Sequence, residues 1–209
     1  MLLAGGRSSR MDGREKGMAE LAGKPMIEHV IARLRPQVGR MVVNANGDPA
    51  RFACLDLPVV ADALEGYAGP LAGLQAGIAW ARRETPKARF VASVPVDTPF
   101  LPRDLVARLL AAMQVTGAAS AIAASGGAWT PVIGVWSVAL ADELADALRQ
   151  GVRAVHRFAE AQRSAVVEFP MVEAGGELID PFFNVNTPAD LEKAGALLAS
   201  RSCQDPARG

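Results

Sequence analysis

Met1–Arg10, MLLAGGRSSR, together with the cations that follow as far as Lys16, decides how the rest of the chain is read. Leu2 and Leu3 are apolar and strand-like, and Gly5 and Gly6 then remove two β-carbons where the backbone must approach something closely. Gly5, Gly6, Ser8 and Ser9 leave successive N–H groups free to form an anion-binding concavity. Arg7, Arg10, Arg14 and Lys16 surround it with positive charge. A strand stopping at such a loop suits a triphosphate. A GG pair followed by serines also makes an ordinary solvated turn, and the loop alone does not choose between the two. Neither G-x-x-x-x-G-K-[ST] nor G-x-G-x-x-G occurs, which excludes a Walker-type loop and a dinucleotide fingerprint.

Working outward, short apolar runs recur at Met41–Val43, Val59–Ala61, Phe90–Val94, Ala118–Ala124, Val132–Trp136 and Ala165–Phe169, as buried strands do. Helical patterns fill the gaps. Met26, Ile27, Val30, Ile31 and Leu34 repeat at helical spacing after Pro25, and Leu105, Val106, Leu109, Leu110 and Met113 after Pro102. Leu71, Leu74 and Ile78 form a third stripe. Thr187-Pro188-Ala189-Asp190 is a helix start, with a capping threonine, a first-turn proline and a carboxylate three residues after the cap. That helix is expected to run to about Ser200. Strands alternating with helices predict an α/β fold with a mainly parallel central sheet flanked by helices, which binds ligands beyond the carboxyl ends of its strands. The first strand is short: from Met1 to Gly5 it spans roughly 13 Å at the usual rise, and a missing upstream stretch is one reading of that.

The chain of 209 residues is 50% hydrophobic with a formal net charge of zero. Such a chain is expected to bury one core, and balanced charge argues against a nonspecific nucleic-acid binder. Cys54 and Cys203 form no CxxC pattern, no apolar run approaches the roughly 20 residues of a membrane span, and MLLA is too short for a signal-peptide core. A soluble cytoplasmic protein with small-molecule partners is the expectation.

Three polar residues terminate apolar runs: Asn44 after MVV, Asp62 after PVVA and Asp97 after FVASVPV. Facing one crevice, they offer acceptors for a base or ribose and a carboxylate for Mg²⁺, which takes hard oxygen ligands and keeps substrate phosphates. Each alone also reads as a turn residue. Asn184 and Asn186 in FFNVN lie two apart and point the same way if extended, with helix capping the rival role for Asn186. His29 and His156 read as structural, and Trp80, Trp129 and Trp136 as core or pocket wall. Arg153 reads either as a solvated helix charge or as a phosphate ligand.

Taken together, LAGGRSSRM with Lys16, NAN at Asn44–Asn46, GPLAG at Gly69–Gly73, VPVDTPFLP at Val94–Pro102 and NVNTPADL at Asn184–Leu191 resemble the molybdenum cofactor guanylyltransferase family. The motifs cover residues 3 to 191. The resemblance implies a Rossmann-like nucleotidyltransferase fold; length points to one domain over residues 1–200, and the polar end containing Pro206 to a disordered tail at 201–209. The resemblance also implies transfer of GMP from GTP to Mo-molybdopterin with release of pyrophosphate, and Mg²⁺ as cofactor. It carries GTP binding to Leu3, Ala4, Gly5, Gly6, Lys16, Asn44, Asp62 and Asp97, the metal to Asp97, catalysis to Arg10, Lys16 and Asp97, and the molybdopterin side to Asn184 and Asn186; for Arg153 the match is looser. A cytoplasmic monomer, with cofactor-assembly proteins and apo-molybdoenzymes as further partners and neither nucleic acid nor membrane among them, completes the expectation. Glu15-Lys16-Gly17 stands where the family usually has Asp-Lys-Gly, and Val96 where a cysteine is frequent. A cytidylyltransferase and a noncatalytic nucleotide-binding regulator are the rival readings.

Overall fold

A computed structural model describes residues 1–5, 10–11, 14–63, 69–174 and 176–204. Its centre is a seven-stranded sheet. We number the strands β1 (Leu2–Leu3), β2 (Val43–Asn44), β3 (Val59–Val60), β4 (Phe90–Pro95), β5 (Ser120–Ser125), β6 (Ala128–Ser137) and β7 (Ala165–Glu168). Across the sheet they run β7-β5-β6-β4-β1-β2-β3, all parallel except β6, which lies antiparallel to β4 and β5. Each expected apolar run yields a strand, because runs of this kind need cover on both faces and the helices supply it.

The period of two is visible at β1 itself. Leu2 and Ala4 enter a core with Val30, Leu34, Leu105 and Leu109, whereas Met1 and Leu3 enter a second one with Leu71, Leu74, Trp80, Leu144 and Phe158. The first face is covered by α1 (Met26–Leu34) and α3 (Leu105–Thr116), and the second by α2 (Pro70–Glu84), α4 (Ala141–Arg149) and α5 (Val155–Ala161). Helix α3 stops at Gly117, whose positive φ of 69° is the left-handed turn that lets a helix end.

Two glycines one turn apart bring α2 unusually close to the sheet. A Cβ on Gly73 would stand 2.9 Å from Leu3 Cδ2, and one on Gly77 2.5 Å from Met1 Cε. A side chain at either place would require Leu3 and Asn44, or Met1, to move.

A third, smaller core joins α6 (Pro188–Gln204) to the hairpin β8 (Val172–Ala174) and β9 (Glu177–Ile179) through Leu21, Met26, Phe100, Ile179, Val185, Ala194 and Leu197. Helix α6 runs on to Gln204, past the end expected near Ser200. One expectation is overturned at Trp129. Trp80 and Trp136 are buried, but Trp129 is 49% exposed, since it lies two residues beyond the tight Gly126–Gly127 hairpin turn at the end of the sheet. No helix among the described residues is long and apolar enough to cross a membrane.

Candidate active site

The carboxyl ends of β1, β2, β3 and β4 lie side by side, and the chain leaves each at a residue singled out above. Hydrogen bonds fix that edge: Ala4 N–H donates to Asn44 O at 2.9 Å, and Val96 N–H to Leu3 O at 3.2 Å. Leu3 and Ala4 have buried side chains, so only their backbone is available to a ligand, while Gly5 is exposed.

Lys16 opens a short 3-10 turn, Lys16–Met18, that lies against the end of β4. Gly17 permits this, since a Cβ there would stand 3.0 Å from Val96 Cγ2. The Lys16 side chain is only 5% exposed, and its ammonium donates to Asp97 Oδ2 at 2.5 Å and to Asn186 Oδ1 at 2.5 Å. Three elements separated by 81 and 170 residues therefore meet at one nitrogen. Asn186 is itself held: its N–H and that of Thr187 donate to Asp190 Oδ2 at 3.0 and 2.9 Å, and Asp190 N–H returns a bond to Thr187 Oγ1 at 3.1 Å. This is the expected capping box at the start of α6. The donors from Asn186 and then Thr187 hold the Asp190 carboxyl below its ordinary value. Val185 N–H donates to Asp97 O at 3.0 Å and ties the same segment to the metal candidate.

On the other side of β1, Asp62 is gripped by two asparagines. Asn44 Nδ2 donates to Asp62 Oδ1 at 2.9 Å and Asn46 Nδ2 to Asp62 Oδ2 at 2.8 Å, while Asp62 N–H donates to Asn46 Oδ1 at 2.9 Å. Asn44 is 2% exposed and sits between Gly5 and Gly73, both of which face its Oδ1. In sequence Asn46 and Gly73 stand out only as parts of the NAN and GPLAG motifs. The two-residue spacing of NAN already puts both amides on one side of the strand.

Asn184 and Asn186 flank buried Val185 and are both exposed, as their alternation predicts. Gly6, Arg7, Ser8 and Ser9 lie outside the described residues, as do the side chains of Arg10 and Arg14. Arg153 precedes α5 instead of lying in a helix, and its Nη1 donates to Leu148 O at 2.7 Å, in the last turn of α4, and to Val152 O at 3.0 Å, in the loop that follows. His29 Nε2 bonds Leu21 O at 2.7 Å, in keeping with a structural role.

Among the described residues, no group of three or more His, Cys, Asp or Glu forms a metal cage. Asp97 Oδ1, however, is a buried oxygen with no hydrogen-bond partner among the described residues, on the carboxylate whose other oxygen meets the Lys16 ammonium. An unpaired buried carboxylate oxygen is costly unless something cationic completes it. That donor set fits a magnesium ion that takes one protein carboxylate and the oxygens of a polyphosphate.

A mostly parallel sheet whose strand ends carry Gly5, a lysine–aspartate pair and a clamped second aspartate has the architecture of the nucleotidyltransferase class. Known proteins narrow this. The MobA-like NTP transferase domain matches residues 1–166. A molybdenum cofactor guanylyltransferase of Bradyrhizobium sp. (strain ORS 278) is 49% identical over 200 residues, 95% of this chain and 92% of that protein. Another, from Rhizobium meliloti (strain 1021), is 42% identical over 207 residues, 99% of this chain and 94% of that one. In structure, the molybdopterin-guanine dinucleotide biosynthesis protein A of Archaeoglobus fulgidus superposes with a TM-score of 0.66 at 24% identity, covering 97% of each chain. A CMP:2-keto-3-deoxy-manno-octonic acid synthetase solved with CTP gives 0.69 at 17% identity, covering 96% of this chain and 97% of the other. The chain belongs to the MobA-like NTP transferase family, within its molybdenum cofactor guanylyltransferases.

Proposed function

We propose that this chain transfers GMP from GTP to the terminal phosphate of Mo-molybdopterin, forming molybdopterin guanine dinucleotide and pyrophosphate. The observation that carries the reading is the convergence of Lys16, Asp97 and Asn186 beside an unpartnered Asp97 oxygen, in a chain 49% identical to a named guanylyltransferase. An acceptor phosphate oxygen attacks the α-phosphorus of GTP, a new P–O bond forms there, and the bond to the bridging oxygen breaks to release pyrophosphate. Two polyanions must approach, so positioning and charge neutralisation are the main catalytic tasks.

Asp97 would hold Mg²⁺ through Oδ1, and the ion when bound supplies charge neutralisation at the phosphates. Lys16, delivered by its own turn and steadied by Asn186, presents its ammonium to a phosphate oxygen; Arg10 adds a second cation. At 4 Å one pair of unit charges is worth on the order of 4 kcal/mol at an effective dielectric of 20, enough for two such contacts to offset much of the repulsion. Leu3, Ala4, Gly5 and Gly6 line the triphosphate with backbone, Asn44 and Asp62 face the nucleoside, and Asn184 and Asn186 face the pterin. With this reading go a cytoplasmic monomer over residues 1–200 and hand-over to cofactor-assembly proteins and apo-molybdoenzymes.

The test is pyrophosphate release with Mg²⁺ and Mo-molybdopterin, comparing GTP with CTP. Turnover with GTP alone supports the proposal. Preference for CTP makes the enzyme a cytidylyltransferase, and binding of GTP without turnover makes it a regulator.

A further inference from the structure

Asn184 and Asn186 stand two apart and exposed on one segment, and spacing alone makes them a pair with one role. The hydrogen bonds divide them. Asn186 Oδ1 accepts from the Lys16 ammonium at 2.5 Å, whereas among the described residues no hydrogen bond ties Asn184 to that lysine. Lys16 is only 4% exposed, so its surroundings decide where its charge points.

An ammonium carries three N–H donors and no acceptor. Asp97 Oδ2 takes one and Asn186 Oδ1 a second, and among the described residues nothing accepts the third. The bond to Asp97 alone would let the ammonium spin about that axis. A second bond stops the rotation and so fixes the direction of the remaining N–H. A lysine head is otherwise a mobile point charge on a flexible stem, and holding it in advance turns it into a directed donor. Asn186 is itself anchored from behind. Its N–H and that of Thr187 donate to Asp190 Oδ2 at the start of the 17-residue α6, and Val185 N–H donates to Asp97 O at 3.0 Å. The oxygen that meets Lys16 is therefore carried on a capped helix start tied to the strand end that bears Asp97, as a positioning group requires.

We propose, resting on the nucleotidyl transfer set out above, that Asn186 belongs to the donor side of the site. It is a positioning residue that holds the Lys16 ammonium so that its one remaining N–H meets a phosphate oxygen of the nucleoside triphosphate, and Asn184 alone serves the acceptor. An amide oxygen suits this task better than a carboxylate. It accepts from the ammonium without placing a second negative charge beside Asp97, where the phosphates must enter.

The experiment titrates the full chain with GTP and Mg²⁺ by calorimetry, with no acceptor present, for the parent, Asn186→Ala, Asn184→Ala, Lys16→Met and the double variant Lys16→Met/Asn186→Ala. Asn186→Ala changes no charge and keeps the backbone N–H that caps α6. It should weaken GTP binding about tenfold or more, the size of a lost hydrogen bond to a charged group, whereas Asn184→Ala leaves that affinity within about twofold. Asn186→Leu, of similar volume and without an oxygen, repeats the measurement independently. In the Lys16→Met background, Asn186→Ala should cost less than about twofold, because the ammonium it positions is gone. Steady-state rates give a second readout: Asn186→Ala lowers kcat and leaves KM for Mo-molybdopterin within about twofold, while Asn184→Ala raises that KM. Equal losses of affinity with and without Lys16 would overturn the proposal. So would unaltered GTP binding with a raised KM for the acceptor, which returns Asn186 to the pterin. A chain that takes CTP instead of GTP fails the guanylyl assignment alone, and the same cycle is then read with CTP.

Discussion

Gly73 has no room for a side chain because Asn44 occupies the space: a Cβ at position 73 would stand 3.1 Å from Asn44 Cγ and closer still to its Oδ1. The glycine of GPLAG thus serves the asparagine of NAN, which in turn grips Asp62. A helix glycine is normally improved by alanine, by up to about 1 kcal/mol. Here the clash opposes that gain.

Gly73→Ala is therefore expected to destabilise the protein by about 1–3 kcal/mol, because Asn44 is pinned by Val60 O and Asp62 and cannot step aside. If Asn44 faces the nucleoside as proposed, its displacement should also raise KM for GTP. Urea unfolding and a GTP titration of the rate measure the two effects. A more stable variant with unchanged KM would contradict this account.

Asn46→Ala frees Asp62 Oδ2 while Asn44 still holds Oδ1. Losing one hydrogen bond to a charged group is worth about 1.5–3 kcal/mol, so KM for GTP should rise on the order of tenfold or more with a smaller change in kcat. Steady-state kinetics separates the two parameters.

Lys16→Ala and Asp97→Ala each break the buried pair and leave its partner uncompensated. Both should lower kcat for GMP transfer by on the order of 10² or more, as loss of a charge-stabilising group does. Asp97→Ala should remain folded by circular dichroism, and undiminished transfer would remove Asp97 from the metal. Lys16→Ala should also weaken GTP binding, which calorimetry reads directly.

Asp190 couples folding to acid. Its carboxyl lies below the ordinary 3.8 because the Asn186 N–H and then the Thr187 side chain, with the Thr187 N–H behind them, bind the charged form. The unfolded state then takes up the proton first as pH falls, so the stability it contributes is present above about pH 4 and lost as pH drops through the lower folded value. Asp190→Asn should accordingly be less stable than the parent at pH 6, with the difference narrowing toward pH 3. Thermal melts at the two pH values decide, and a gap that widens in acid would reverse the assignment.

Much of this protein was legible from local pattern. The six apolar runs, the stripes of α1, α2 and α3 and the Thr187–Asp190 cap all appear where period and capping chemistry put them, because burial on a strand or helix face leaves its mark within a few residues. Trp129 misled because residue type says what a side chain favours and not where a hairpin turn leaves it. Arg153 is ambiguous in sequence for a similar reason, since its partners are a carbonyl in the last turn of α4 and one in the loop after it, neither marked by a local pattern.

By itself, then, the sequence determined the alternating elements and the polar residues that close the strands. Only the tertiary structure decided that Lys16, Asp97 and Asn186 share one point and that Asn44 and Asn46 hold Asp62. The physical reason is that periodicity acts over a turn or two of chain. The order in which strands pair, here with β4 beside β1, is set by packing both faces of the sheet at once.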